Sequence, residues 1–213
     1  TFGPMSRAMK SKELDTFESR FGYRPVQLQA AVDMLAVFVH KDNPIADVGL
    51  TLEQVDAIFS STRRGGLRPI NTWGDLGLTG PWATQPISLY GRNAASGTYG
   101  YFKAKALFGG DFRNEVKEQP GSSSVVSGIA NDRFGIGYSG IGYDTADVRP
   151  VPLARSKPRT SSTGKMVRPT ADQVSEYPLT RFLFLTVNHR PNSRLDPLRA
   201  AFIRLVYSRE GQA

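Results

Sequence analysis

Residues 90–110, YGRNAASGTYGYFKAKALFGG, set Arg92 four positions ahead of Ser96-Gly97-Thr98, where a helix-like run begins. The first turn of a helix carries N–H groups without acceptors, and the helix dipole adds roughly half a positive charge there. A small oxyanion satisfies both. Gly97 lets an ion approach the backbone with no Cβ in the way, and Ser96 and Thr98 add hydroxyl donors. The planar fork of Arg92 suits a tetrahedral oxyanion at the same point. The same residues also read as an ordinary helix start, with Ser96 as N-cap and Arg92 in water.

Ser6 and Arg7 stand in a similar loop-to-helix junction, FGPMSRAMKSKEL. Asp33 lies inside the apolar run AAVDMLAVFV, where an unpaired carboxylate is costly to bury. It needs an ion pair, a proton or a ligand. A carboxylate also accepts the proton that phosphate carries at neutral pH and sulfate lacks.

Composition narrows the chemistry. There is no cysteine among the 213 residues, which excludes thiolate catalysis, disulfides and cysteine-ligated metals. Only His40 and His189 are present, far apart in sequence, which argues against a histidine-rich metal site or a histidine-dependent triad. Hydrophobic residues at 39% and charged residues at 22% suit a folded domain or two small lobes. No apolar run approaches the ~20 residues that span a bilayer. The chain opens on Thr1-Phe2-Gly3 without a charged-then-apolar leader, as expected of a mature product, a trimmed chain or a fragment. The net charge of +8 favours an anionic partner. Part of it is local, in 149–169, with Arg149, Arg155, Lys157, Arg159, Lys165 and Arg168 and no acidic residue. That stretch reads as a solvated basic loop or a docking patch. It has no aromatic to stack a base, so nucleic acid is not expected.

The elements that must position these groups alternate between strand and helix. SKELDTFESRFGY predicts a helix capped by Ser11 and ended by Gly22, with Leu14, Phe17 and Phe21 on one face. VQLQAAVDMLAVFVHKDNP predicts a strand pair or one long buried strand, stopped by Asn43-Pro44. Thr51 and Gln54 have capping-box spacing for a helix over 50–60. QPISLYG predicts the strand that delivers Arg92, and Phe102, Ala106 and Leu107 an apolar face on the helix that follows. A serine-capped helix over 122–133, a Gly/aromatic strand and turn over 134–144 and a buried strand in YPLTRFLFLTVN come next. The last helix has Asp196 at its N-cap and Pro197 at N1, an apolar set of Leu198, Ala201, Leu205 and Val206, and Gly211 past its end. The class is α/β.

Taken in order, MSRAM, FGYRPVQLQAAVDMLAVFVHKDNP, LTLEQVDAIFS, TWGDLGL, GRNAASGTYGYF, GIGYSGIGY, YPLTRFLFLTVN and SREGQ resemble the periplasmic phosphate-binding proteins of bacterial ABC importers. The resemblance runs through nearly the whole chain. It implies a two-lobed type II periplasmic-binding-protein fold, with residues 1–38 and 185–213 in lobe I, 39–184 in lobe II, and crossings near 38–43 and 183–188. It implies an anion held in the cleft between lobes. Arg92, Ser96, Gly97 and Thr98 match the family's gripping motif, Ser6 and Arg7 match the opposite lobe's contribution, and Asp33 lies in a segment that commonly passes near the cleft. The implied partners are inorganic phosphate and a membrane permease, with no cofactor, a monomeric chain, and a periplasmic or secreted location.

Two departures stand out. Family members normally begin some tens of residues earlier, with a strand, a loop and a helix that help hold phosphate, so the first strand and helix of lobe I are expected to be absent here. Several members also carry an aspartate between the arginine and Ser-Gly-Thr, where this chain has Asn93, Ala94 and Ala95. The residues leave two other functions open. A phosphatase-like enzyme on the same scaffold would use Ser96 as nucleophile, but the sequence offers it no base. A secreted interaction or adhesion protein would use the basic surface instead.

Overall fold

The computed structural model describes residues 2–155 and 164–212. In chain order the elements are β1 (Phe2–Met5), α1 (Ser11–Phe21), β2 (Val26–His40), α2 (Ile45–Val48), β3 (Leu50–Thr51), α3 (Leu52–Phe59), β4 (Ser88–Arg92) and α4 (Gly97–Lys105). There follow β5 (Lys117–Gln119), α5 (Ser122–Ala130), β6 (Gly135–Gly140), β7 (Val148–Pro150), β8 (Leu153–Ala154), β9 (Thr180–Val187) and α6 (Pro197–Val206). The chain divides into two compact units, Thr1–Asp33 with Arg181–Ala213, and Met34–Thr180. These divisions fall a few residues ahead of the crossings expected at 38–43 and 183–188. Both lie inside continuous strands, β2 and β9, so no loop or change of composition marks them.

In the first unit, β1 pairs antiparallel with β9, Phe2 opposite Val187 and Met5 opposite Phe184, and β9 neighbours β2. The N-cap of α1 is Lys10 rather than Ser11, because Glu13 reaches back to accept the Lys10 N–H at 2.8 Å. Gly22 closes α1 at φ 76°, as its position predicts. At α6 the Asp196 carboxylate accepts the N–H groups of Leu198 and Arg199, both at 3.1 Å. The apolar set expected on α6 is not buried: Leu198 is 79% exposed and Leu205 54%, and only Val206 is partly covered. Val26 and Val32 of β2 and Phe182 of β9 also stand exposed, so each of these strands is only partly the buried strand that its composition suggests.

In the second unit, residues 35–39 of β2 pair antiparallel with β6, β6 runs parallel to β4, and β4 parallel to β5. The apolar run of β2 serves both faces of this sheet. Leu35, Val37 and Val39 join a core that includes Val55, Phe59, Phe102 and Leu107 of α3, α4 and the residues after it. Ala36 and Phe38 point to the other face and pack with Val125, Val126 and Ile129 of α5. A strand covered on both faces reads as continuous apolar sequence, which is why alternation vanishes there. α3 starts with the expected capping box: Thr51 Oγ1 accepts the Gln54 N–H at 3.3 Å and Gln54 Oε1 accepts the Thr51 N–H at 2.9 Å.

The basic stretch 149–169 is only partly within the described residues, since Lys157 and Arg159 lie outside them. Arg149 pairs with Asp47, and Lys165 with Glu176 at 2.7 Å. No described helix is long and apolar enough to cross a membrane.

Candidate functional site

Arg92 ends β4, and its position is fixed by packing from below. Tyr138 of β6 is fully buried and stacks on Phe102 of α4 with ring centroids 3.9 Å apart. Its phenol oxygen accepts the Arg92 backbone N–H at 3.2 Å. Burial pushes the Tyr138 phenol far above its ordinary pKa, so it stays protonated and keeps its own O–H to donate. Gly91 precedes Arg92 because there is no room for a side chain: a Cβ would stand 2.9 Å from Val116 Cγ1 and 3.0 Å from the Tyr138 ring. One stacked pair therefore ties the end of β4 to α4.

The Arg92 side chain does not lie free in water. Its Nη1 donates to Ser122 Oγ at 2.9 Å and its Nη2 to the Pro120 carbonyl at 3.2 Å, while Nε is buried with no acceptor among the described residues. Neither acceptor was among the sequence candidates. Ser122 instead belonged to a helix expected to be capped by serine. The N-cap of α5 is Gly121, with no side-chain cap, and the first serine of the helix turns to Arg92.

Ser96 caps α4, its Oγ accepting the Thr98 N–H at 3.2 Å. A hydroxyl that accepts in this way still has its proton to give, so capping and anion contact are compatible at one oxygen. Thr98 is 7% exposed. Gly97 is the first residue of α4, where backbone N–H groups have no acceptor within the helix. Arg92 and Tyr99, the latter in the first turn of α4, share the wall of a 330 Å³ cavity with Arg113 and Glu118. The structure thus brings Arg92 and Tyr99 of α4 to one hollow in the second unit, whereas Ser96, Gly97 and Thr98 are not among the residues that line it.

Two of the first-unit candidates, Arg7 and Asp33, are already engaged. Arg7 forks onto Glu13, Nη1 to Oε2 at 2.8 Å and Nη2 to Oε1 at 2.7 Å, and also donates to the Ala8 carbonyl. That guanidinium holds the Glu13 carboxyl down at about 2. Ser6 lies just before it, half-buried. Asp33 Oδ2 accepts from Arg181 Nε at 2.9 Å and Nη2 at 2.7 Å. Among the described residues no three His, Asp or Glu side chains converge as a metal site requires.

Residues 1–210 match the family model of the PBP superfamily domain. The chain belongs to the PBP superfamily. Within known proteins it is 55% identical, over 99% of its length, to phosphate-binding protein PstS of Pseudomonas aeruginosa, and it spans 64% of that relative's length. Among solved structures it is similar to a candidate phosphate ABC transporter substrate-binding protein of Clostridium perfringens with bound phosphate. The TM-score there is 0.76 at 23% identity, covering 99% of this chain and 74% of that one. An ABC-type phosphate transport receptor of Vibrio cholerae gives a TM-score of 0.66 at 20% identity, covering 98% and 74%. Likenesses at these identities establish the fold alone, an α/β fold shared with those structures.

Proposed function

We propose that the protein binds inorganic phosphate without turning it over and delivers it to the permease of an ABC importer. It works as a monomer in the periplasm or an equivalent exported location. The observation that carries this reading is that Arg92, at the end of β4, is tied through the Tyr138–Phe102 stack to α4, the helix that Ser96 caps and that begins Gly97-Thr98. The fork supplies charge, Ser96 and Thr98 supply hydroxyls, and Gly97 leaves the backbone open to an oxyanion. The 55% identical relative named phosphate-binding protein PstS supports phosphate as the anion. Ser6, Arg7 and Asp33 are the proposed contacts from the first unit. For Arg7 and Asp33 to touch phosphate, each shares or exchanges its present partner, Glu13 or Arg181.

Calorimetric titration of the purified chain with inorganic phosphate, and with sulfate as control, tests this. The expected result is one-to-one binding of phosphate, rejection of sulfate, and loss of phosphate heat in a folded Arg92→Ala variant. A folded wild-type chain that gives no heat with phosphate overturns the reading.

A further inference from the structure

We propose that Ser122 is the positioning residue for Arg92, an inference that rests on the phosphate-binding reading above. An arginine grips an oxyanion only when its fork is held in one plane and direction, and acceptors on its other N–H groups do the holding. Here those acceptors are neutral. Among the described residues Arg92 has no ion pair; its two side-chain bonds go to Ser122 Oγ and the Pro120 carbonyl. The loop between Arg92 and Ser96 carries Asn93, Ala94 and Ala95 and so offers no carboxylate.

Ser122 is suited to the task. It is 9% exposed, so water competes little for its hydroxyl. It is the first residue of α5, and its carbonyl accepts from Ser139 Oγ on β6 at 3.4 Å. The hydroxyl makes no cap bond to α5, so its bond to Arg92 is not a by-product of helix capping. A neutral acceptor orients the guanidinium without cancelling its charge. Among the described residues Ser122 is the one side chain that holds the fork, since the second acceptor is backbone.

The test compares wild type, Ser122→Ala, Ser122→Thr, Arg92→Lys and the double variant Arg92→Lys/Ser122→Ala by calorimetry with inorganic phosphate. Nitrogen-15 NMR of the arginine side chains in the unliganded protein accompanies it. Losing one hydrogen bond to a charged group, Ser122→Ala is expected to weaken phosphate binding by about tenfold or more. Ser122→Thr is expected to restore most of it, and Ser122→Ala to add nothing on the Arg92→Lys background. In the NMR spectra, rotation of the Arg92 guanidinium is expected to be hindered in wild type and fast in Ser122→Ala. Wild-type affinity in Ser122→Ala, or an equal further loss on the Arg92→Lys background, overturns the role. If wild type binds no phosphate, the functional reading falls by itself. The NMR then decides the positioning separately, and guanidinium rotation unchanged by Ser122→Ala overturns it.

Discussion

Arg181 directs two donors, Nε and Nη2, onto the same carboxylate oxygen of Asp33, and the two residues sit side by side where β9 and β2 pass from one compact unit into the other. Only 7% of the Arg181 side chain and 19% of that of Asp33 remain exposed. Removing Arg181 takes both of these donors from a largely desolvated carboxylate, and removing Asp33 takes that carboxylate from a buried guanidinium. Arg181→Met and Asp33→Asn are each expected to destabilise the fold by about 3 kcal/mol. Asp33→Leu/Arg181→Met removes both charges and is expected to recover much of that loss. Urea unfolding of the three variants checks this, and a double variant no better than the singles sinks it.

The Arg7–Glu13 pair makes a pH prediction. The folded carboxyl of Glu13 lies at about 2, below its ordinary 4.5, chiefly through its hydrogen bond from Arg7. A depressed carboxyl stabilises the fold above the unfolded pKa and loses that contribution as pH falls through the folded one. The loss therefore runs from about pH 4.5 down to about 2. With 37% of the Glu13 side chain exposed, screening holds the effect to about 1 kcal/mol or less. Glu13→Gln should flatten this part of the profile when denaturant midpoints are compared across that window.

Ser96 has two jobs that substitution can separate. Ser96→Ala removes the cap of α4 and is expected to cost about 1 kcal/mol, whereas Ser96→Gly costs only a few tenths. Both remove the hydroxyl, so both are expected to weaken phosphate binding to a similar degree. Thermal melts paired with calorimetry read the two effects. If affinity follows stability, with glycine binding like wild type, Ser96 is a cap alone.

Gly91→Ala probes the seat of Arg92. The added Cβ would press on Val116 and on the ring of Tyr138, both packed in the core. Overpacking of this kind costs about 1–3 kcal/mol. Because Tyr138 holds the Arg92 N–H, phosphate affinity is expected to fall with stability. Affinity that stays at the wild-type level would detach Tyr138 from the site.

How much of this was legible in the sequence depended on the range of the interaction. Short-range rules worked where both partners lie within a turn: the Thr51/Gln54 box, the Asp196 cap, Gly22, and Ser96 at the start of α4. They failed by one residue at α1, where a glutamate side chain rather than a serine sets the first turn. The acceptors of Arg92 lie 28 and 30 residues away in sequence, so no local pattern announces them. Ser122 stands in the run Gly121-Ser122-Ser123-Ser124, where composition suggests capping and tertiary structure assigns one hydroxyl elsewhere. Asp33 was recognisable as a residue needing a partner, but Arg181 lies 148 positions on. The apolar residues of α6 look like core by spacing alone, yet several stay exposed in the unit to which they belong.

β2 also contains its own internal comparison. Residues 34–39 are shut away on both faces, while Val26 and Val32 on the same strand are 42% and 49% exposed. Deuterium uptake read amide by amide along this one strand would therefore meet two protection regimes, with the change near residue 33. The slow half clocks unfolding of the second unit and the fast half clocks fraying of the first. A ligand that steadies only one unit would slow one clock and leave the other as an unmoved reference within the same peptide.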